Sequence, residues 1–281
     1  MATITVTPVF TNGSVSCSGP SESFTITVNP TAQVNDPADR VVCNGSLTTA
    51  IPFTTNNSGG TTTYTWVNSN TAIGLGGGAT GPVPAFTATN AGLVQVSGTI
   101  TVTPHFDNGS VICDGPVQTF TIKVNPSAQV NVPANQELCN GESSVAVTFS
   151  TSRTDGTTTY SWTNNKPSIG LSAVGTGNLP VFTASNITTA PVVATITVTP
   201  SYENGSVTCS GTPQVFTITV NPDGQVDDPA NQTVCVGGST ADVIFSTVNT
   251  VGTTTYDWTN NNTDIGLAAT GSGDILSFPV T

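Results

Sequence analysis

The sequence repeats itself every 96 residues, and this one feature limits the fold more than any other. Ala2-Thr3-Ile4-Thr5-Val6-Thr7-Pro8 returns as Gly98 to Pro104 and as Ala194 to Pro200. Phe24-Thr25-Ile26-Thr27-Val28-Asn29-Pro30 recurs from Phe120 and Phe216, and the run from Thr61 to Trp66 recurs from Thr157 and Thr253. A fixed period means that one structural unit is written several times, so each copy must solve the same packing problem. All 18 aromatic residues obey the period. They fall into six columns: Phe10/Phe106/Tyr202, Phe24/Phe120/Phe216, Phe53/Phe149/Phe245, Tyr64/Tyr160/Tyr256, Trp66/Trp162/Trp258 and Phe86/Phe182/Phe278. No acidic position is acidic in all three copies; Asp36, for example, matches Val132 and Asp228. Packing is repeated and charge is not.

Inside each repeat the apolar period is two, as in Ile4-Thr5-Val6-Thr7 and Phe24-Thr25-Ile26-Thr27-Val28. This alternation predicts half-buried strands with Thr facing water. Composition agrees: 53 Thr, 28 Gly and 19 Pro with only 7% charged residues suit pleated sheets and turns and leave no place for long helices. Asn12-Gly13, Asn108-Gly109, Asn204-Gly205, Asn44-Gly45 and Asn140-Gly141 supply tight-turn signals between strand runs. About seven short strands per repeat, with Trp on a central strand, predict an all-β chain of tandem immunoglobulin-like sandwiches.

The charge balance removes several partners. Sixteen acids against four bases (Arg40, Lys123, Arg153, Lys166) give a net charge of −12, the opposite of a nucleic-acid or anionic-membrane footprint. No run of 18 apolar residues exists, so no membrane insertion is expected. Met1 to Thr5 lacks the basic and apolar regions of a signal peptide, yet six Cys in a Lys-poor β chain suit an extracellular setting. A segment cut or processed from a longer chain is therefore expected. Chemistry is sparse as well. His105 is the only His and no Cys-x-x-Cys pair occurs, so neither a repeated nucleophile site nor a zinc site is expected. Paired carboxylates would have to come from acids that differ between copies, so no enzyme and no cofactor are predicted. The Asn-Gly-Ser strings at Asn12, Asn108 and Asn204 have the form of glycosylation sequons and are read as tight turns.

Several strings together carry a family resemblance: Val42-Cys43-Asn44-Gly45, Thr63-Tyr64-Thr65-Trp66, Ile73-Gly74-Leu75, Phe86-Thr87-Ala88-Thr89-Asn90, Gly98 to Pro104 and Phe120 to Pro126. Over essentially its whole length the chain resembles the PKD-like repeats of very large Bacteroidota surface proteins. The resemblance implies tandem immunoglobulin-like modules in cell-surface adhesins exported by the type IX route, acting as stalks or spacers and without enzymatic activity. It also implies that a module runs from just after one Asn-Pro to the next. The chain then divides into a C-terminal hairpin (1–30), two modules (31–126 and 127–222) and the first part of another (223–281). The terminal parts are complementary. A donor hairpin bearing Ile4, Val6, Phe24, Ile26 and Val28 would complete an acceptor bearing Phe245, Trp258 and Phe278. Between copies of the chain this gives a head-to-tail filament, because such a contact does not close on itself.

Six Cys allow 15 connectivities, of which the repeat makes three regular. Cys17 with Cys43 and its equivalents would use all six. Cys43 with Cys113, and Cys139 with Cys209, would lie within modules, but an immunoglobulin-like topology puts these at opposite poles, beyond the ~7 Å Cα limit for a bridge. Cys43 with Cys209 would staple successive modules and, in a polymer, leave Cys139 and Cys235 to reach a neighbouring molecule. Asp36, Asp39, Asp223, Asp227 and Asp228 lie where modules join and form weak calcium candidates, weakened by Asn131-Val132-Pro133 at the middle junction. The leading expectation is thus a secreted or surface-exposed structural protein, rod or filament, partnered by copies of itself. The alternatives are an adhesin segment binding a surface glycan or protein through the column Phe10, Phe106 and Tyr202, or a passive spacer.

Overall fold

A computed structural model describes residues 1–109 and 111–281. Ser110, which ends the Asn108-Gly109-Ser110 sequon, lies outside the described residues. The protein is all-β, and its strands fall where the period-two pattern puts them. The first four, β1 (Ala2–Val6), β2 (Val9–Asn12), β3 (Val15–Ser18) and β4 (Glu22–Ile26), make two antiparallel ribbons, β1 with β4 and β2 with β3.

Six strands then form a sheet: β5 (Arg40–Cys43), β6 (Thr61–Asn68), β7 (Gly78–Thr80), β8 (Val96–Asp107), β9 (Ile112–Asp114) and β10 (Gln118–Asn125). Their order is β5-β10-β8-β6-β7, with β9 on the far part of β8. The next six repeat this arrangement: β11 (Gln136–Cys139), β12 (Thr157–Asn164), β13 (Val174–Thr176), β14 (Val192–Asn204), β15 (Val207–Ser210) and β16 (Gln214–Asn221). Two short strands, β17 (Asp257–Thr259) and β18 (Thr270–Ser272), pair near the C-terminus.

In both six-stranded sheets the last long hairpin lies in the middle. Strand β10 pairs parallel with β5 and antiparallel with β8, and β8 pairs with β6. Each sheet buries the alternating face the sequence prescribes. Trp66, Ile100, Val102, Phe120, Ile122 and Val124 build one core, and Trp162, Ile196, Val198, Phe216, Ile218 and Val220 the other. The facing layer is thinner than the seven-strand pattern suggests. It is held by single bridges, Leu47 to Thr87 and Ile51 to Val83 in one copy and Ser143 to Thr183 and Val147 to Leu179 in the next. Prolines explain the loss of longer ladders: Pro52, Pro82, Pro84 and Pro180 sit in or beside these segments and cannot donate to a ladder.

Buried asparagines complete the frame. Asn90 Nδ2 donates to the carbonyls of Val94 and Val124 at 2.8 and 2.7 Å, while Asn44 Oδ1 accepts from the Asn90 amide at 2.8 Å. Asn186 repeats the set with Ala190, Val220 and Asn140.

By contacts the chain divides into two units. One is Met1–Ser127 with the hairpin tip Glu203–Cys209; the other is Ala128–Tyr202 with Ser210–Thr281. Each unit thus holds one six-stranded sheet, the second without its hairpin tip, and one of the terminal regions.

Candidate assembly site

The β1–β4 ribbon is the donor candidate, and its register is the register of the two buried hairpins. Ile4 stands opposite Phe24 as Ile100 stands opposite Phe120 and Ile196 opposite Phe216. Side-chain hydrogen bonds support it on the polar face, Thr5 with Ser23 at 2.9 Å and Thr7 with Ser21 at 2.6 Å. Its apolar face is bare. Phe24 is 53% exposed against 3% for Phe120 and for Phe216, and Val28 is 82% exposed against 0% for Val124 and for Val220. Ile4, Val6 and Ile26 are likewise exposed where their counterparts are buried.

Residues 223–281 are the acceptor candidate. They keep the thin layer, with bridges Ser239 to Pro279 and Val243 to Ile275, and they keep the edge pair β17–β18. The centre of the sheet is missing. Where β6 and β12 each run eight residues, the equivalent strand shrinks to the three that β18 can pair. No strand forms at 232–235, the counterpart of β5 and β11, because its only partner in the intact sheets is the central hairpin. No residue of 223–281 is fully buried; Phe245, Trp258 and Phe278 are each only partly buried. An open groove of about 470 Å³ is lined by Val243, Phe245, Ile265, Leu267, Ile275 and Phe278.

A second feature lies at the boundary between the two complete repeats. Cys43, the last residue of β5, is bonded to Cys209 on β15, with Cα atoms 5.6 Å apart and a sequence separation of 166. Here the structure holds the stapling pattern, one of the three open from sequence. Asn125, opposite Cys43 in the β10–β5 register, clamps the same hairpin tip, its Nδ2 donating to the carbonyls of Asn204 and Val207 at 2.8 and 3.3 Å. Asn29 holds the earlier tip in the same way, donating to the Val111 carbonyl at 3.2 Å and accepting from Asn108. Sequence reasoning missed these clamps. The Asn-Pro signature that closes each repeat is the signal that could have found them. Cys17, Cys113, Cys139 and Cys235 are thiols.

The acidic candidates do not converge. Among the described residues no three His, Cys, Asp or Glu side chains group as metal ligands. Asp39 Oδ1 accepts the Thr121 amide at 2.6 Å, and this hydrogen bond holds its carboxyl below the usual range. Asn135 plays the same part for Thr217 at 2.8 Å, so the column is a strand clamp that uses Asp or Asn. Asp227 pairs with Ser246 through its amide at 2.9 Å, and Asp228 lines the open groove. Asp36 is brought into no such group.

The expected aromatic ligand loop needs correction. Phe106 and Tyr202 are buried, and only Phe10 is exposed. The Phe106 ring lies where a Cβ on Gly60 would stand, and the Tyr202 hydroxyl donates to Asp155 Oδ1 at 2.5 Å. The sheet extends three residues past Pro104, to Asp107, so these rings cap it instead of facing solvent.

No protein-family model matches the sequence and no curated protein matches it. The backbone is similar to several multi-repeat ectodomains. The human desmocollin-1 ectodomain is 9% identical, with a TM-score of 0.38 over 89% of this chain and 55% of that one. Human CDH23 EC21-23 is 13% identical, with a TM-score of 0.38 over 90% of each. Sidekick-1 immunoglobulin domains 1–5 are 14% identical, with a TM-score of 0.26 over 95% of this chain and 58% of that one. At such identities and TM-scores the likeness carries no argument about arrangement or activity. No helix of the described residues is long and apolar enough to cross a membrane.

Proposed function

We propose that the chain is a structural subunit of an extracellular fibre, in which the hairpin of residues 1–30 of one copy fills the open sheet of residues 223–281 of the next. The single observation that carries this reading is the environment of the donor hairpin. Its register matches two hairpins whose apolar faces are buried, while its own apolar face is bare. The site is thus divided into 1–30, 31–126, 127–222 and 223–281, the outer two incomplete without each other.

The energetics favour insertion. Burying Ile4, Val6, Phe24, Ile26 and Val28 at roughly 1.5–3 kcal/mol each amounts to on the order of 10 kcal/mol. The inserted hairpin also gains two ladders, because in the intact sheets it lies between the first strand and the long Trp-bearing strand. Strand addition at two edges at once removes both exposed edges of the acceptor.

An extracellular setting fits the Cys43–Cys209 disulfide, since such bonds persist outside reducing compartments. A bacterial surface is what the PKD-like resemblance implies. With Phe106 and Tyr202 buried, the adhesive-loop alternative keeps only Phe10, which lies on the donor hairpin itself.

Light scattering and negative-stain microscopy of the purified chain test the proposal. Fibres that lengthen with concentration are expected. A monodisperse monomer in which 223–281 resists proteolysis as well as 127–222 would overturn it.

A further inference from the structure

We infer that the four thiols are the halves of two intermolecular disulfides, Cys139 with Cys17 of the next copy and Cys235 with Cys113 of the next copy. This rests on the fibre reading, and extends it from a non-covalent contact to a covalent one.

The bond between Cys43 and Cys209 supplies the rule. A cysteine ending the first strand of one repeat joins the cysteine on the hairpin tip of the following repeat. Cys139 is the Cys43 position one 96-residue repeat later and calls for the hairpin tip that completes 223–281. In the fibre that tip is the β2–β3 ribbon of the next copy, which carries Cys17. Cys235 is one repeat further on and calls for the tip after that, the β8–β9 hairpin of the next copy, which carries Cys113. The thiols are two of each kind, two at the sequence position of Cys43 (Cys139, Cys235) and two at hairpin tips (Cys17, Cys113), so the rule pairs every one.

The geometry around Cys139 is already that of Cys43. In the β11–β16 pair Cys139 stands opposite Asn221, as Cys43 stands opposite Asn125. The amide of Asn140 donates to the Asn221 carbonyl at 2.9 Å, as the amide of Asn44 donates to the Asn125 carbonyl at 2.9 Å. Asn221, whose Nδ2 donates to Glu137 Oε1 at 2.9 Å, holds the Asn125 position, and on exchanging that bond it would clamp Asn12 and Val15 of the next copy as Asn125 clamps Asn204 and Val207. On the donor side Cys17 is exposed and stands opposite Phe10, as Cys113 stands opposite Phe106. Cys235 differs, because no strand forms at 232–235 until a hairpin enters. Its bridge can form only after insertion, so the disulfides lock a contact that the apolar face creates.

Each bridge joins two thiols, which lose two protons and two electrons. The acceptor is an external disulfide, small-molecule or protein, which is reduced to two thiols.

Chymotryptic mapping of alkylated, unreduced fibres tests the pairing, because cleavage after aromatic residues and Leu places all six cysteines in separate peptides. The expected linked pairs are 11–24 with 139–149 and 107–120 with 217–245, beside 25–47 with 203–216. A non-reducing gel should show a ladder of multimers. Cys17→Ser or Cys113→Ser alone should keep the ladder through the remaining bridge. The double substitution should collapse it to monomer while fibres still form under the microscope. Fibres with all four thiols alkylated, or with Cys17 linked to Cys235, overturn the inference and leave the fibre reading standing. Absence of fibres with and without reductant overturns both.

Discussion

The ribbon of residues 2–26 and the hairpin of residues 192–221 share nearly one sequence and one register, and they differ in what covers them. Both pair Ile with Phe across the strands, yet one face meets solvent and the other a Trp-centred core. The same contrast runs through the acceptor. Tyr160 and Trp162 sit in an eight-residue strand, whereas in 223–281 only three residues keep strand geometry. Hairpin pairing is therefore a local property of the alternation and the turn, while strand length and burial depend on which neighbours arrive.

The sharpest way to break this comparison is to change one column at two places. Phe216→Asp puts a charge into a closed core and should cost about 4 kcal/mol or more, removing one calorimetric transition. Phe24→Asp should leave that transition in place while abolishing assembly. If both shift melting equally, the donor face is already covered in the monomer.

Hydrogen exchange sharpens the acceptor half. Amides of 253–256 should exchange at least about a hundredfold faster than those of 157–160 in the unassembled chain, and should slow on assembly. Equal protection before assembly would mean the acceptor sheet is complete without a donor.

Asn186→Ala should destabilise the second sandwich by about 1–3 kcal/mol, since two buried carbonyls lose their donor. Thermal melting reads this directly, and an unchanged midpoint would show that water replaces the amide.

The smallest expected effect concerns acid. Asp39 has a lowered carboxyl pKa in the folded state, from its hydrogen bond with the Thr121 amide, so its contribution is present above the ordinary carboxylate range and is lost as pH falls through the folded value. The first sandwich should lose a little stability on acidification that the second, with Asn135, does not. Asp39→Asn should erase the difference in pH-dependent melting.

Much of this was legible in the sequence because packing repeats. The columns of Phe120 and Trp162 identify the core, and the alternation in Thr99 to Val102 identifies its strands. The Cys43–Cys209 pairing was one of three open patterns. The burial of Phe106 and Tyr202 was not legible, because it depends on how far β8 and β14 extend beyond their prolines. The short bridges of the facing layer were hidden too, since Pro82 and Pro180 interrupt ladders whose apolar spacing looks like that of full strands. Asn90 and Asn186 look like turn residues in sequence, and only their buried carbonyl partners reveal a structural role.

The bond between Cys43 and Cys209 also has a mechanical meaning. Pulled from its ends, the chain carries tension across the sulfur–sulfur link, and the segment between the two cysteines, a sequence separation of 166, cannot be drawn out. At about 3.4 Å per extended residue this conceals roughly 560 Å of contour length. In a force-extension trace the oxidised chain should release only the segments outside the staple, and reducing agent should restore the hidden length.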